Sequence, residues 1–162
     1  MDGVLCDFKK AAEKVTGMSI EKWSSENKEK KWGPIKNTPR FWHTLPWMPG
    51  GRELWSFISN NKPHILSAYV EESLDPNCIP GKSHWARTNL GIAPGRIHLV
   101  KRVQKQNYAK VVGQPAVLID DYKKNTDQFT QRGGIGILHT STSNTIRAVS
   151  YTHLTLPTKR IV

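Results

Sequence analysis

Four short apolar runs set the tightest limit on what this chain can fold into. They are "HIL" ahead of Ser67, "RIHLV", "AVLI" ahead of Asp120, and "IGILH". Each is too short for a buried helix and is bounded by polar residues, Gly or Pro, so each reads as a buried strand. The stretches around them carry helical signals. "GGRELWSFISNN" puts Leu54, Phe57 and Ile58 at helical spacing and stops at Asn60 and Asn61. "GKSHWARTNLGI", "QKQNYAKVV" and "KKNTDQFTQRGG" follow the first three strands, the last closed by glycine. Strands alternating with helices predict an α/β domain with a parallel sheet covered on both faces. Right-handed crossovers make it a doubly wound, Rossmann-like sheet.

Residues 8–47 break this alternation. They run through polar helical segments ("DFKKAAEKVTG", "SIEKWSSENKEKK") into the aromatic, Pro-bearing "FWHTLPWMP". The segment is expected to form a small helical insert that caps the strand ends. A chain of 162 residues leaves room for one domain with such an insert, and 37% hydrophobic residues with six Trp suffice for a core.

The formal charge of +11 points to an anionic partner, whether nucleic acid, a phosphorylated metabolite or a membrane surface. Lys and Arg are nevertheless spread from Lys9 to Arg160, with no Arg-rich helix and no RNA-binding aromatic motif. The expectation is a basic surface favouring phosphate-bearing small molecules, without specific nucleic-acid binding. No apolar run approaches the about 20 residues of a membrane span, and no secretory leader is evident, so a soluble, cytoplasmic protein is expected. Cys6 and Cys78 lack CxxC spacing and read as reduced thiols, and the six His form no HxH or HxxxH pair.

The end of the chain differs in character. "VSYTHLTLPTKRIV" is Thr-rich and follows no helical period. The DNA string GTC TCT TAT ACA CAT CTG ACG CTG CCG ACG, which resembles a transposase-type sequencing adapter, translates to Val149 through Thr158 in order. Residues 149–162 are therefore read as adapter translation and residues 1–148 as the domain. Without Lys159 and Arg160 the formal charge falls from +11 to +9.

In a doubly wound sheet, ligands bind beyond the carboxyl ends of the strands. Ser67, the Lys-rich "KRVQK", and Asp120 with Asp121 stand there, and "MDGVL" joins them if a strand precedes it. Phosphoryl transfer needs a divalent cation held by carboxylates, donors for phosphate oxygens, and an acid or base for the leaving oxygen. Asp120 and Asp121 offer hard oxygen ligands, with only one able to point straight into a site. Ser67 and Lys105 could hold a phosphoryl oxygen from opposite sides.

"MDGVLCDF", "ILSA", the lysine before "QNYAK" and "LIDDYKKN" together resemble the four ordered motifs of the haloacid-dehalogenase superfamily phosphatases. "FWHTLPWMPGGRELW" and "KSHWARTNLG" look most like the 5'(3')-deoxyribonucleotidase branch and related phage-type proteins. The resemblance spans nearly all of residues 1–148. It implies a Mg2+-dependent phosphatase that hydrolyses a phosphate monoester, a (deoxy)nucleoside monophosphate in this branch, through an aspartyl-phosphate. The first motif of the family is Asp-x-Asp-Gly; here Met1 stands at x, Asp2 is the second Asp, and the nucleophilic Asp is expected immediately upstream of Met1, at the end of a first strand that the chain lacks. By the same resemblance Asp2 is the general acid/base and gives its backbone carbonyl to Mg2+. Gly3 lets the backbone approach the phosphate, Ser67 hydrogen-bonds it, Lys105 stabilises the intermediate, and Asp120 and Asp121 hold Mg2+ directly or through water.

Other readings of these residues stay open. Phe41, Trp42 and Trp47 either stack on a nucleobase or pack as core between cap and domain. Lys105 has Lys101 and Lys110 close by in sequence, and a helix-start lysine is usually solvated. Lys82 reads as a surface or helix-start lysine, and Cys6 needs no catalytic role. Without its nucleophile the chain should act as an anion-binding module, and another small phosphorylated metabolite is the alternative substrate. A domain short of a central strand is expected to be poorly stable. Oligomeric state is not legible.

Overall fold

The computed structural model describes residues 1–155 and Ile161. The architecture is mixed α/β. The first turn of chain folds back on itself, with the Met1 carbonyl accepting from the amides of Val4, Leu5 and Cys6. Three short helices follow: α1 (Phe8–Thr16), α2 (Ile20–Ser25) and α3 (Lys28–Lys36). Each begins at a side-chain cap, Asp7 accepting from the Lys10 amide, Ser19 from Lys22 and Asn27 from Lys30, which satisfies amide groups that a helix start leaves unpaired. Within residues 8–47 these helices occupy residues 8–36 and are followed by a 3-10 turn at Trp42–Thr44.

Helix α4 (Gly51–Ile58) leads to strand β1 (Ile65–Ala68), helix α5 (Cys78–Leu90) and strand β2 (Ile97–Val100). β1 and β2 pair in parallel, Ile65 opposite Ile97 and Ala68 opposite Val100. A 3-10 helix over Arg102–Tyr108 then gives way to a hairpin, β3 (Lys110–Val111) and β4 (Gln114–Pro115). The sequence predicts one helix through "QKQNYAKVV"; the β-branched Val111 and Val112 and the positive φ at Val112 and Gly113 turn its second half into a hairpin instead.

Strand β5 (Val117–Asp120), helix α6 (Lys123–Gln131) and strand β6 (Ile135–Leu138) form a second parallel unit, with Val117 opposite Ile135 and Asp120 opposite Leu138. All four residues of β5 are buried, as a strand covered on both faces requires. The expected alternation of parallel strands and helices is present, but among the strands described β1 forms a ladder only with β2 and β5 only with β6. Between them runs an apolar seam lined by Met1, Val4, Ile65, Leu66 and Ile119. Ile161 sits at one end of it, making a parallel bridge to Val117 and accepting the His64 amide at 2.9 Å. The residues read as adapter translation begin inside the last helix, α7 (Thr142–Thr155), where Val149 is buried; residues 156–160 and 162 lie outside the described residues.

The main core joins cap and sheet through Phe41, Trp42, Leu54, Trp85 and Val117. Trp85 buries its ring and donates its indole N–H to the Leu45 carbonyl at 2.8 Å, so its polar atom is satisfied as its apolar area is hidden. Among the described residues, no helix is long and apolar enough to cross a membrane.

Candidate phosphate-binding site

The carboxyl ends of β1 and β5, the N-terminal loop and helix α5 meet at one cluster of charges. At its centre is Lys82, 1% exposed. Its ammonium donates to Asp2 Oδ2 at 2.6 Å, to the Ala68 carbonyl at 2.6 Å and to Ser67 Oγ at 3.3 Å. All three donors of the ammonium are engaged. The expectation of a surface lysine is corrected here: Lys82 shares the buried face of α5 with Cys78, Trp85 and Ala86, at i, i+4, i+7 and i+8, a spacing that marks an inward position in the sequence itself.

Lys105 takes a different post. It stands in the middle of its 3-10 helix with its ammonium 2.6 Å from Asp120 Oδ2, and neither residue lines a described cavity. Asp120 also accepts from Asn125 Nδ2 at 3.0 Å on both oxygens and from the Tyr122 amide at 2.9 Å. Burial opposes its charge, but the Lys105 ammonium and these hydrogen bonds prevail and hold its carboxyl below the ordinary aspartate range. The Met1 amino group is buried nearby, and burial first, then Lys105, lowers its pKa.

Asp121 turns the other way. Its carboxylate lies over the Cα of Gly3, where a Cβ would overlap it, and Gly3 adopts φ +70. Only glycine fits both demands. Desolvation, then the neighbouring Asp120 charge, raise the Asp121 pKa. The adjacent aspartates therefore divide their work, Asp120 inward on Lys105 and Asp121 toward open space.

That space is a cavity of about 700 Å3 between cap and sheet. Asp2, Gly3, Lys82 and Asp121 line it together with the aromatic Phe8, Trp23, Trp32 and Trp42, and with Arg102 and Tyr122. A smaller cavity of about 270 Å3, lined by Asp7, Met48, His139 and Thr140, reaches the same Gly3 and Asp121 from the other side. Asp2 Oδ1 is buried and has no hydrogen-bond partner among the described residues.

The sequence-derived residues are thus partly assembled. Asp2, Gly3, Trp42 and Asp121 share the large cavity, and Ser67 stands directly behind Lys82. Phe41 is packed edge-to-face on Phe8 and Trp42, and Trp47 lies against Trp85 with the Arg52 guanidinium 4.8 Å from its ring; neither lines the cavity. Phe8, Trp23 and Trp32 were not legible as wall residues, because the polar helices that carry them close on one another only in three dimensions. Cys6 and Cys78 are buried thiols, Cys78 pushed up to about 11 by burial, so neither is an activated nucleophile.

Among the described residues, no group of three or more His, Cys, Asp or Glu is arranged to hold a metal ion. Mg2+ asks less of a protein, one or two carboxylates with the remaining positions taken by water and substrate phosphate. Asp121, open to the cavity and crowded by a like charge, fits that demand. No protein-family model matches the chain, and no curated protein matches it.

Proposed function

We propose that the chain is the body of a Mg2+-dependent phosphatase of the haloacid-dehalogenase type, with a Rossmann-like sheet, acting on a small aromatic phosphate monoester, a deoxynucleoside monophosphate in the first instance. The supporting observation is the convergence of Asp2, Lys82 and Asp121 on a cavity also lined by Phe8, Trp23, Trp32 and Trp42. The charged groups suit a phosphate and the rings suit a base.

In this reading a phosphoryl oxygen displaces Asp2 from Lys82, and Lys82 then neutralises charge that develops on the phosphate. Asp2, released from the ammonium, takes a proton from solvent, gives it to the leaving oxygen, and takes one back from the water that attacks next. The Asp121 carboxylate and the Asp2 backbone carbonyl would hold Mg2+, which when bound draws charge from the phosphoryl group. Lys105 holds Asp120 in place, and Trp42 orients the organic part of the substrate. By the family resemblance, the attacking carboxylate is an Asp two positions ahead of Asp2.

The test is to extend the chain upstream of Met1 with an apolar strand ending in Asp and to assay phosphate release with Mg2+. Release from deoxynucleoside monophosphates that vanishes in D2N is expected. Release from sugar phosphates but not nucleotides would remove the nucleotidase reading, and phosphate binding without any release would leave an anion-binding module.

A further inference from the structure

Asp75 is a buried carboxylate that the proposed chemistry does not use. It is 1% exposed, it precedes α5, and the donors that reach it are the indole N–H of Trp42 at 2.6 Å and the Asn77 amide at 3.0 Å. No lysine, arginine or histidine among the described residues forms an ion pair with it. A buried carboxylate held by two neutral donors is expensive, so its place calls for a reason.

The reason lies one ring away. Trp42 stacks on Phe8 with centroids 5.5 Å apart and planes 16° off parallel, and Gly81 leaves its Cβ no slack. The Lys82 ammonium stands 5.0 Å from the centroid of the same indole. An indole that donates its N–H to a carboxylate gains electron density over its ring, which strengthens attraction for a cation at its face. Asp75 thus supplies negative character to a buried ammonium without occupying any of the ammonium's own donors, which stay on Asp2, Ser67 and Ala68.

We propose that Asp75 is a positioning residue that acts through Trp42 on Lys82, fixing the indole plane and holding the ammonium where it meets the anionic group of the ligand. The proposal rests on the reading of Lys82 as a phosphate-binding group. A direct Asp75–Lys82 pair would compete with phosphate; the relay through the ring does not.

The experiment compares wild type, D75N, D75L, W42F and K82M by titration with inorganic phosphate and by the Trp42 indole N–H resonance, assigned by its loss in W42F. D75L and W42F should each weaken phosphate binding about tenfold, the two together no more than either alone, and D75N should stay within about threefold of wild type, since its amide oxygen still accepts the indole proton. Phosphate affinity within about twofold of wild type in W42F overturns the proposal. If D75L does not fold, W42F and D75N decide the matter. If wild type and K82M bind phosphate equally or not at all, the phosphatase reading falls, and the relay is then judged by the resonance: a shift in K82M supports it, and an unchanged resonance overturns it.

Discussion

Two lysine–aspartate pairs in this molecule have the same length and opposite characters. Lys82–Asp2 and Lys105–Asp120 both measure 2.6 Å. Around Lys105–Asp120 every carboxylate oxygen is taken, by the lysine, Asn125 and the Tyr122 amide, and both side chains are shut in at 8% and 6% exposure. Around Lys82–Asp2 the carboxylate is 31% exposed, keeps one oxygen without a partner among the described residues, and faces the large cavity. Geometry alone would rank the pairs as equals. Their surroundings make one a fixed strut and the other a pair that a ligand can open.

The largest effect that can break this contrast is on the strut. K105M leaves Asp120 buried without its cation and should destabilise the fold by about 3–5 kcal/mol in urea denaturation. K82M removes the same bond at the cavity, but Asp2 can hydrate, so its loss should be nearer about 2 kcal/mol while phosphate binding disappears from a calorimetric titration. Equal stability losses in the two variants would erase the distinction. G3A forces a side chain into the space of the Asp121 carboxylate at positive φ and should cost about 1–3 kcal/mol, together with the Mg2+ response of phosphate binding.

Smaller effects follow from protons. The Asp120 pKa is depressed on folding, so its contribution is complete above the ordinary aspartate value of about 3.9 and is lost as pH falls through the folded value. An acid unfolding series should show this limb in wild type and lose it in D120N. Asp121 has the opposite sign: its pKa is raised, so its ionised form opposes folding at neutral pH, and D121N should be slightly more stable there by thermal melting while failing to respond to Mg2+.

The strut was easier to anticipate than the pair at the cavity. "AVLI" followed by Asp-Asp marks a buried strand with a charged end, and β5 carries Asp120 as that pattern implies. Lys105 was legible only as one of several lysines, since its partner lies across the fold from a 3-10 helix that the sequence does not announce. Lys82 was hidden by a general expectation, that helical lysines are solvated, although its spacing from Cys78 and Trp85 places it on the buried face. That Asp120 and Asp121 cannot both face a site was legible, but which of them does was not, because it is set by which carboxylate the Gly3 backbone receives. Nor could the cavity wall, assembled from rings 24 residues apart such as Phe8 and Trp32.

The apolar seam also bears on how the molecule comes apart. Among the described residues no ladder joins β1 to β5, and the two parallel units meet there through side-chain packing and the Ile161 crossing rather than a shared run of backbone bonds. Cooperative opening units tend to follow such boundaries. Amide hydrogen exchange should therefore resolve two thermodynamic blocks, one containing β1 with β2 and the other β5 with β6, and phosphate bound at Lys82 should slow the first more than the second.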